Sequence, residues 1–165
     1  MIEAIASSKE ELKRADHLIY VSLKYTRTVD VIKSIIDRLL NAHAFMVDAS
    51  IQWAQREKII AEDAEVPKSP VMKAERLGEL FKDNETIVNF LDFYLFLRKV
   101  ARAGYTAHRE YRRHVTMSAM VDGKQIDITI DVIHGYYERS KEFQVFLEEK
   151  LSDEEKAQAH EWYVR

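Results

Sequence analysis

The sequence predicts an all-α fold, a helical bundle of five to six helices with one short β-hairpin near residues 115–130. The 165 residues include only four Gly and two Pro, too few for a turn-rich β fold. Apolar residues recur at three- and four-residue spacing over long stretches, as they do on the buried face of a helix. Asp122-Gly123 separates two alternating runs, which is the pattern of a tight hairpin.

The length and composition predict one folded domain over residues 1–165, with 47% hydrophobic and 32% charged residues. The segment AEDAEVPKSP, residues 61–70, is the only clear interruption of the helical pattern. We interpret it as a loop rather than a domain boundary, because neither flanking part of the chain is expected to fold independently. The chain has no Cys, which excludes disulfides and thiolate metal sites. Its first residues lack the order of a signal peptide, and no apolar run is long enough for a membrane span. We therefore expect a cytoplasmic protein with no membrane association.

The amino-terminal half predicts two helices. Ser8 and Glu11 have the spacing of a capping box, so the first helix is expected to start at Ser8. Thr28 is a suitable N-cap for a much longer second helix, whose apolar residues keep helical spacing for about seven turns. His43 falls within this apolar stripe, and we interpret it as a hydrogen-bonded core or interface histidine rather than a metal ligand.

Two more helices are expected before the hairpin. Pro70 suits the first turn of a third helix, and Asp83 or Asn84 can cap a fourth. The fourth helix is apolar nearly all round, which is unusual in a domain of this size. We therefore expect a homo-oligomer that forms through this aromatic helix, residues 86–101.

The segment after the hairpin turn allows two interpretations. Ile126, Ile128 and Ile130 alternate with polar residues as in a half-buried strand, but the same stretch could open a helix capped at Asp127 or Thr129. The helical alternative would place Asp127, Asp131 and His134 on one face, where a divalent cation could bind. Such spacing is common on solvated helices, so we assign no metal site and expect no cofactor. Ser152 and Glu155 indicate a last short helix.

Positive charge is concentrated in residues 98–114, RKVARAGYTAHREYRRH, which we call the basic segment. It holds six Lys/Arg and two His but one Glu, in a chain of net charge -3. Arg side chains pair phosphate oxygens and Tyr rings stack on unpaired bases, so this composition is typical of a phosphate-binding surface. The nucleic-acid-binding candidates are Arg98, Lys99, Arg102, Tyr105, Arg109, Tyr111, Arg112 and Arg113. The leading expectation is a protein that binds RNA, or another polyanion, through this segment.

Two other interpretations of the chain stay open. The basic segment could be a solvated face that pairs with acidic residues elsewhere, such as the AEDAE loop or the Glu-rich carboxyl end. Alternatively, the chain could be a protein-interaction or scaffold subunit that self-associates through the aromatic helix.

Within the basic segment, Arg102 with His108 and Arg109 with His114 both fit the pattern Arg-x(4–6)-His. This pattern resembles the catalytic motif of HEPN domains, helical dimers of which many cut RNA without a metal. The resemblance implies that one of these Arg/His pairs is catalytic. The Arg would stabilise charge at the scissile phosphate, and the His would transfer a proton.

A second resemblance covers about two-thirds of the chain. The phrases ADHLIYVSLKYTRTVDVIKSII and FYLFLRKVARAGYTAHREYRRHVTM are similar to a family of small uncharacterised helical proteins of archaea. This resemblance implies a compact helical domain and carries no chemistry.

Overall fold

A computed structural model describes the backbone of residues 1–164 and the side chains of residues 1–161. The described chain is mostly helical and carries one small antiparallel sheet, which confirms the predicted class at that level. Its helices are α1 (Ile2–His17), α2 (Leu23–Tyr25), α3 (Val29–Arg56), α4 (Pro70–Leu80), α5 (Glu85–Arg102), α6 (Ile130–Glu149) and α7 (Asp153–Val164). Its strands are β1 (Tyr105–His108), β2 (Thr116–Val121) and β3 (Lys124–Ile128).

Helix α3 is the centre of the fold and contacts α1, α4, α5 and α6. It begins where predicted, because the Thr28 hydroxyl accepts a hydrogen bond from the Val31 N–H at 3.4 Å. Ile32, Ile35 and Leu39 along this helix have no exposed surface. The long apolar stripe of the sequence is therefore the core of the domain.

His43 lies in the same core, as the sequence predicts. Its ring is fully buried among aromatic side chains, with the Phe90 ring stacked at 5.0 Å. Its Nε2 lies 2.7 Å from Ser140 Oγ, and the Ser140 hydroxyl donates to the Tyr136 carbonyl at 2.8 Å. Because the Ser140 proton is used there, His43 must donate from Nε2, which leaves Nδ1 as a lone pair without a partner.

The first helix starts earlier than predicted, at Ile2 rather than Ser8. The expected capping box is wrong because Ser8 is buried within α1, where its hydroxyl donates to the Ile5 carbonyl at 2.7 Å. Beyond His17 the helix continues through a π-helical turn, Leu18–Ser22, into the short α2. In that turn Ile19 is buried, whereas Tyr20 is exposed.

The predicted hairpin is present, but it is part of a three-stranded sheet of order β1-β2-β3. Asp122 and Gly123 form its turn with φ of 50° and 78°, as a two-residue turn of the I′ type requires. The additional strand β1 pairs with β2 in antiparallel register, Tyr105 opposite Ala119 and His108 opposite Thr116. All four β1 residues are exposed, so no apolar alternation reveals this strand in the sequence.

The two interpretations of residues 126–131 are each partly correct. The strand ends at Ile128, and α6 begins at Ile130, with the Thr129 hydroxyl accepting from the Val132 N–H at 3.2 Å. At the end of α6, Ser152 and Glu155 form the predicted capping box by two reciprocal hydrogen bonds.

The aromatic helix α5 is largely covered by its own chain, contrary to the premise that a second copy is needed. It begins after Asn84, whose side chain accepts from the Ile87 N–H at 3.2 Å, and it contacts α3, α4, α6 and β2. Its buried residues are Ile87, Phe90, Leu91, Phe93, Tyr94, Leu97 and Val100. The Phe90 ring stacks on Phe143 of α6 with centroids 3.6 Å apart. Leu95 and Phe96 alone of its central apolar run, residues 90–97, stay partly exposed. None of the described helices combines the length and apolar character needed to cross a bilayer.

Candidate nucleic-acid interface

The basic segment is largely exposed, apart from the buried Val100. It runs from the last turn of α5 through β1 and into the loop of residues 109–115 that precedes β2. All the predicted nucleic-acid-binding side chains except Arg98 are classed as exposed, and Arg98 is half-buried with its guanidinium 5.8 Å from the Tyr94 ring centroid. These side chains are therefore accessible to a partner.

Most cations of the basic segment have no acidic partner. Lys99 pairs with Asp122 at the hairpin turn, with Nζ and Oδ2 2.8 Å apart. Within residues 1–161, no ion pair involves Arg102, Arg109, Arg112 or Arg113. The same contacts include none between these arginines and the AEDAE loop or the Glu-rich carboxyl end. Within the described residues, intramolecular neutralisation of the segment, one of the open interpretations, is limited to the Lys99–Asp122 pair.

The one acidic residue of the basic segment is turned toward the protein. The Glu110 carboxylate accepts a hydrogen bond from the Val29 N–H at 3.0 Å, at the first residue of α3. A carboxylate at a helix N-terminus is stabilised by the unpaired N–H groups and the dipole there. The negative charge of Glu110 therefore interacts with the N-terminus of α3. The exposed charged side chains of the loop are then the arginines.

The loop is fixed by two further features of its backbone. The Tyr111 N–H donates to the Arg27 carbonyl at 2.6 Å, which ties the loop to the α2–α3 junction. Arg109 and Tyr111 have φ of 54° and 63°, a region that costs non-Gly residues energy and persists only where the surroundings enforce it. In this geometry Tyr111 is 77% exposed.

Lys33 and Arg27, outside the segment, contact it, and the exposed Tyr25 precedes Arg27 in the sequence. Lys33 of α3 places its ammonium 4.5 Å from the centroid of the Tyr105 ring. Tyr25, 78% exposed, lies two residues before Arg27, whose carbonyl holds Tyr111. Arg27 itself has a buried Nε with no hydrogen-bond partner. Sequence reasoning missed these residues because their proximity to the segment comes only from the packing of α3 against the loop.

The structure places the two Arg/His pairs differently. Arg102 ends α5 and His108 ends β1, whereas Arg109 and His114 lie in the same loop. His108 and His114 are both exposed, and His108 Nε2 lies 3.0 Å from the Thr106 hydroxyl. In the described part of the chain no hydrogen bond joins either Arg to its His. The Arg109/His114 pair is the one that a single loop brings together.

The face of the sheet that points away from the helices carries mostly polar side chains, together with the exposed Met120 opposite Gln125. On this face, Asp127 Oδ1 accepts hydrogen bonds from Ser118 Oγ at 2.7 Å and from Gln125 Nε2 at 2.9 Å. These bonds, with Ser118 contributing most and nearby His108 adding to them, hold the pKa of the Asp127 carboxyl below its usual value. Asp127 is thus an ionised, fixed carboxylate beside the basic segment.

Asp127, Asp131 and His134 do not share a helix face, because Asp127 lies in β3 and the other two in α6. The geometry on which a metal site would depend is therefore wrong. Residues 1–161 contain no group of three His, Asp or Glu side chains placed to hold a metal ion.

Comparison with known proteins adds no relative. No protein-family model matches the chain, and neither a curated protein nor a solved structure matches it significantly.

Proposed function

We propose that this protein binds nucleic acid, RNA in particular, through the basic segment. The observation that carries the proposal is the set of four exposed arginines, Arg102, Arg109, Arg112 and Arg113, that have no ion pair within the described residues. Unpaired cations on one surface of an acidic chain concentrate positive potential where a phosphate backbone can use it. The rigid loop adds preorganisation, which lowers the entropic cost of binding.

Single-stranded RNA suits the surface better than duplex. Tyr111 and Tyr25 are more than three-quarters exposed, and such rings can stack on unpaired bases. Base stacking of this kind requires unstacked nucleotides, which single strands and loops provide.

Identification of the nucleic acid that co-purifies at low salt tests the proposal, together with binding of labelled single-stranded RNA to the purified chain. The variant in which Arg109, Arg112 and Arg113 are all replaced by Gln should carry much less co-purified nucleic acid and should bind labelled RNA much more weakly. Wild-type protein that carries no nucleic acid and binds no RNA at low salt would refute the proposal.

A second candidate function, a HEPN-like metal-independent endoribonuclease, is favoured by one observation. Arg109 and His114 are both exposed and lie in the same loop. Arg102 and His108 are the other pair under this alternative. It requires RNA to bind the same surface, so it extends the proposal.

Self-association through α5 is a weaker alternative, supported by the partly exposed Leu95 and Phe96. A homo-oligomer would have to use that remaining strip of the helix, because the other aromatic rings are buried within the chain. A cytoplasmic location also belongs to the proposal, and the absence of Cys is compatible with it.

A further inference from the structure

The outer face of the sheet presents a small polar cluster next to the basic segment. The pairing register aligns Thr106, Ser118 and Asp127 in one row across the three strands. His108, in the same strand as Thr106, and Gln125, in the same strand as Asp127, lie on this face as well. The opposite face carries Met117, Ala119 and Ile128 and is buried in the core. Within the polar cluster Ser118 is buried, whereas the other four residues are exposed.

Asp127 is held in one orientation by its neighbours. Ser118 and Gln125 both donate to Oδ1, so the carboxylate cannot rotate without breaking two hydrogen bonds. Nothing in the described chain donates to Oδ2. The cluster thus offers a fixed, ionised acceptor whose second oxygen is free.

A carboxylate is unexpected next to a segment that is proposed to bind phosphates. β1 belongs to both the basic segment and the sheet, and Asp127 lies in the same cross-strand row as Thr106 of β1. We therefore expect RNA bound along the segment to approach Asp127. A carboxylate near phosphates is repelled by them, and this cost needs a compensating interaction. Donors on the bases can supply that interaction, since a carboxylate only accepts hydrogen bonds.

We propose that the outer face of the sheet selects guanine, with Asp127 accepting hydrogen bonds from the base. This inference rests on the proposed RNA binding and adds sequence preference to it. Unpaired bases are read along their Watson–Crick edges. Guanine presents two adjacent donors there, N1–H and the N2 amino group, and both can donate to the free Oδ2 of Asp127.

The other three bases do not match. Adenine and cytosine each place a ring-nitrogen acceptor next to their amino group, and uracil places its single N–H between two carbonyls. In each case an acceptor would face the carboxylate, which is unfavourable. His108, exposed on the same face, can stack on the base while its edge meets Asp127.

Fluorescence anisotropy with labelled oligonucleotides of about twelve residues, within the span of single-strand binding sites, tests the proposal. The probes are a U-tract and the same tract with two central guanines, inosines, adenines or cytosines. We expect the guanine probe to bind about tenfold more tightly than the U-tract, as hydrogen bonds to a charged group would give. Inosine lacks the N2 amino group and should lose much of that gain. This comparison uses the unmodified protein, so it does not depend on a variant that folds.

Asp127→Asn should bind the guanine probe and the U-tract alike, while its affinity for the U-tract stays unchanged or rises. The control is Asp92→Asn, which removes the same charge from an exposed position on α5 that lies against α4. It should keep the guanine preference. RNA binding without preference for guanine, or a preference that survives in Asp127→Asn, overturns this inference but leaves the proposed function standing. Absence of binding to every probe overturns both.

Discussion

The Glu110 carboxylate and the Val29 N–H are hydrogen-bonded at 3.0 Å across 81 positions of sequence. This bond joins the only acidic residue of the basic segment to the start of the central helix. It explains how the segment can contain an acid without losing positive potential on its outer side. It also couples the shape of the loop of residues 109–115 to the stability of α3.

The coupling gives a first prediction. Glu110→Ala should lower the free energy of unfolding by about 1–2 kcal/mol, because a capping carboxylate is lost. It should also weaken RNA binding, although the segment becomes more positive, since the loop loses its anchor. Denaturant titration and RNA titration measure the two effects. Glu62→Ala, an exposed acid in the loop between α3 and α4, is the control and should change neither. Tighter RNA binding by Glu110→Ala would show that charge alone, not loop geometry, sets affinity.

His43 predicts a dependence of stability on pH. Burial, with a smaller contribution from Arg139, lowers the pKa of His43 to about 3, against an ordinary value of 6.5. At mildly acidic pH, His43 therefore binds a proton in the unfolded chain but stays neutral in the folded chain. The stability is fully present above pH 6.5 and is lost as the pH falls toward 3. At pH 5 the loss should be on the order of 2 kcal/mol, at about 1.4 kcal/mol per pH unit below 6.5.

Chemical denaturation at pH 7.5 and pH 5 measures this loss. His43→Leu fills the same apolar site without a titrating group and should flatten the profile between these two values. His17→Gln removes an exposed histidine and should leave the profile as in the wild type. Equal stability of the wild-type protein at both pH values would contradict the burial of a neutral His43.

The aromatic helix gives a prediction that tests whether its buried residues belong to the hydrophobic core or to a subunit interface. Phe93 is 4% exposed, and the Arg139 guanidinium lies 4.4 Å from the centroid of its ring. Phe93→Glu should unfold the chain, since a buried carboxylate and a lost aromatic side chain together cost more than about 3 kcal/mol. Phe96→Glu, at a partly exposed position, should stay folded. Circular dichroism and light scattering report on both. A soluble, folded monomer from Phe93→Glu and a dimer from the wild type would identify α5 as a subunit interface.

How far the sequence could predict this structure depends on whether the signal is local. The sequence predicts the Thr28 cap outright and offers Asn84 and Thr129 each as one of two candidates, because a cap depends on a side chain and an N–H three residues away. The Asp122-Gly123 turn is local in the same sense. Ser8 misled because the capping spacing is also met inside a helix, where its buried hydroxyl bonds the preceding turn.

The parts of the site that sequence could not predict depend on distant contacts. Strand β1 has no apolar alternation, and it forms because β2 offers its edge. Lys33 and Arg27 reach the basic segment only through the packing of α3 and its preceding junction against the loop. Asp127 was noticed in the sequence, but as part of a helix face. Its partners Ser118 and Gln125 became evident only with the register of the sheet.

Cleavage separates the ribonuclease alternative from binding alone. If an Arg/His pair is catalytic, His114→Ala or His108→Ala should abolish cleavage of single-stranded RNA and leave affinity nearly unchanged, because a neutral His contributes proton transfer but little phosphate attraction. We expect the unmodified protein to bind RNA without cutting it. Gel analysis of labelled RNA incubated with a chelator decides the question. Cleavage that co-purifies with the wild type and disappears in one His variant would establish the enzyme.

The salt dependence of binding tests the basic segment most directly. On single strands each neutralised phosphate contributes about 0.7 to the slope of log affinity against log salt. Contacts from three or four of the six cations would give a slope of about -2 to -3. Replacing Arg109, Arg112 and Arg113 together by Gln should flatten this slope by about two units, because three phosphate contacts are removed.

The same triple variant should lose affinity for all sequences similarly, since phosphate contacts carry no base information, and the guanine preference should therefore persist. Its fold should survive because these three side chains are exposed and make no ion pair in the described part of the chain. The matched control replaces Lys13, Lys82 and Lys141 by Gln, which removes the same charge from exposed positions on other elements. It should keep most of the wild-type slope, because charges more than a Debye length from the bound strand are screened. If the two triple variants behave alike, net charge rather than this surface governs binding, and the basic segment is only a solvated face.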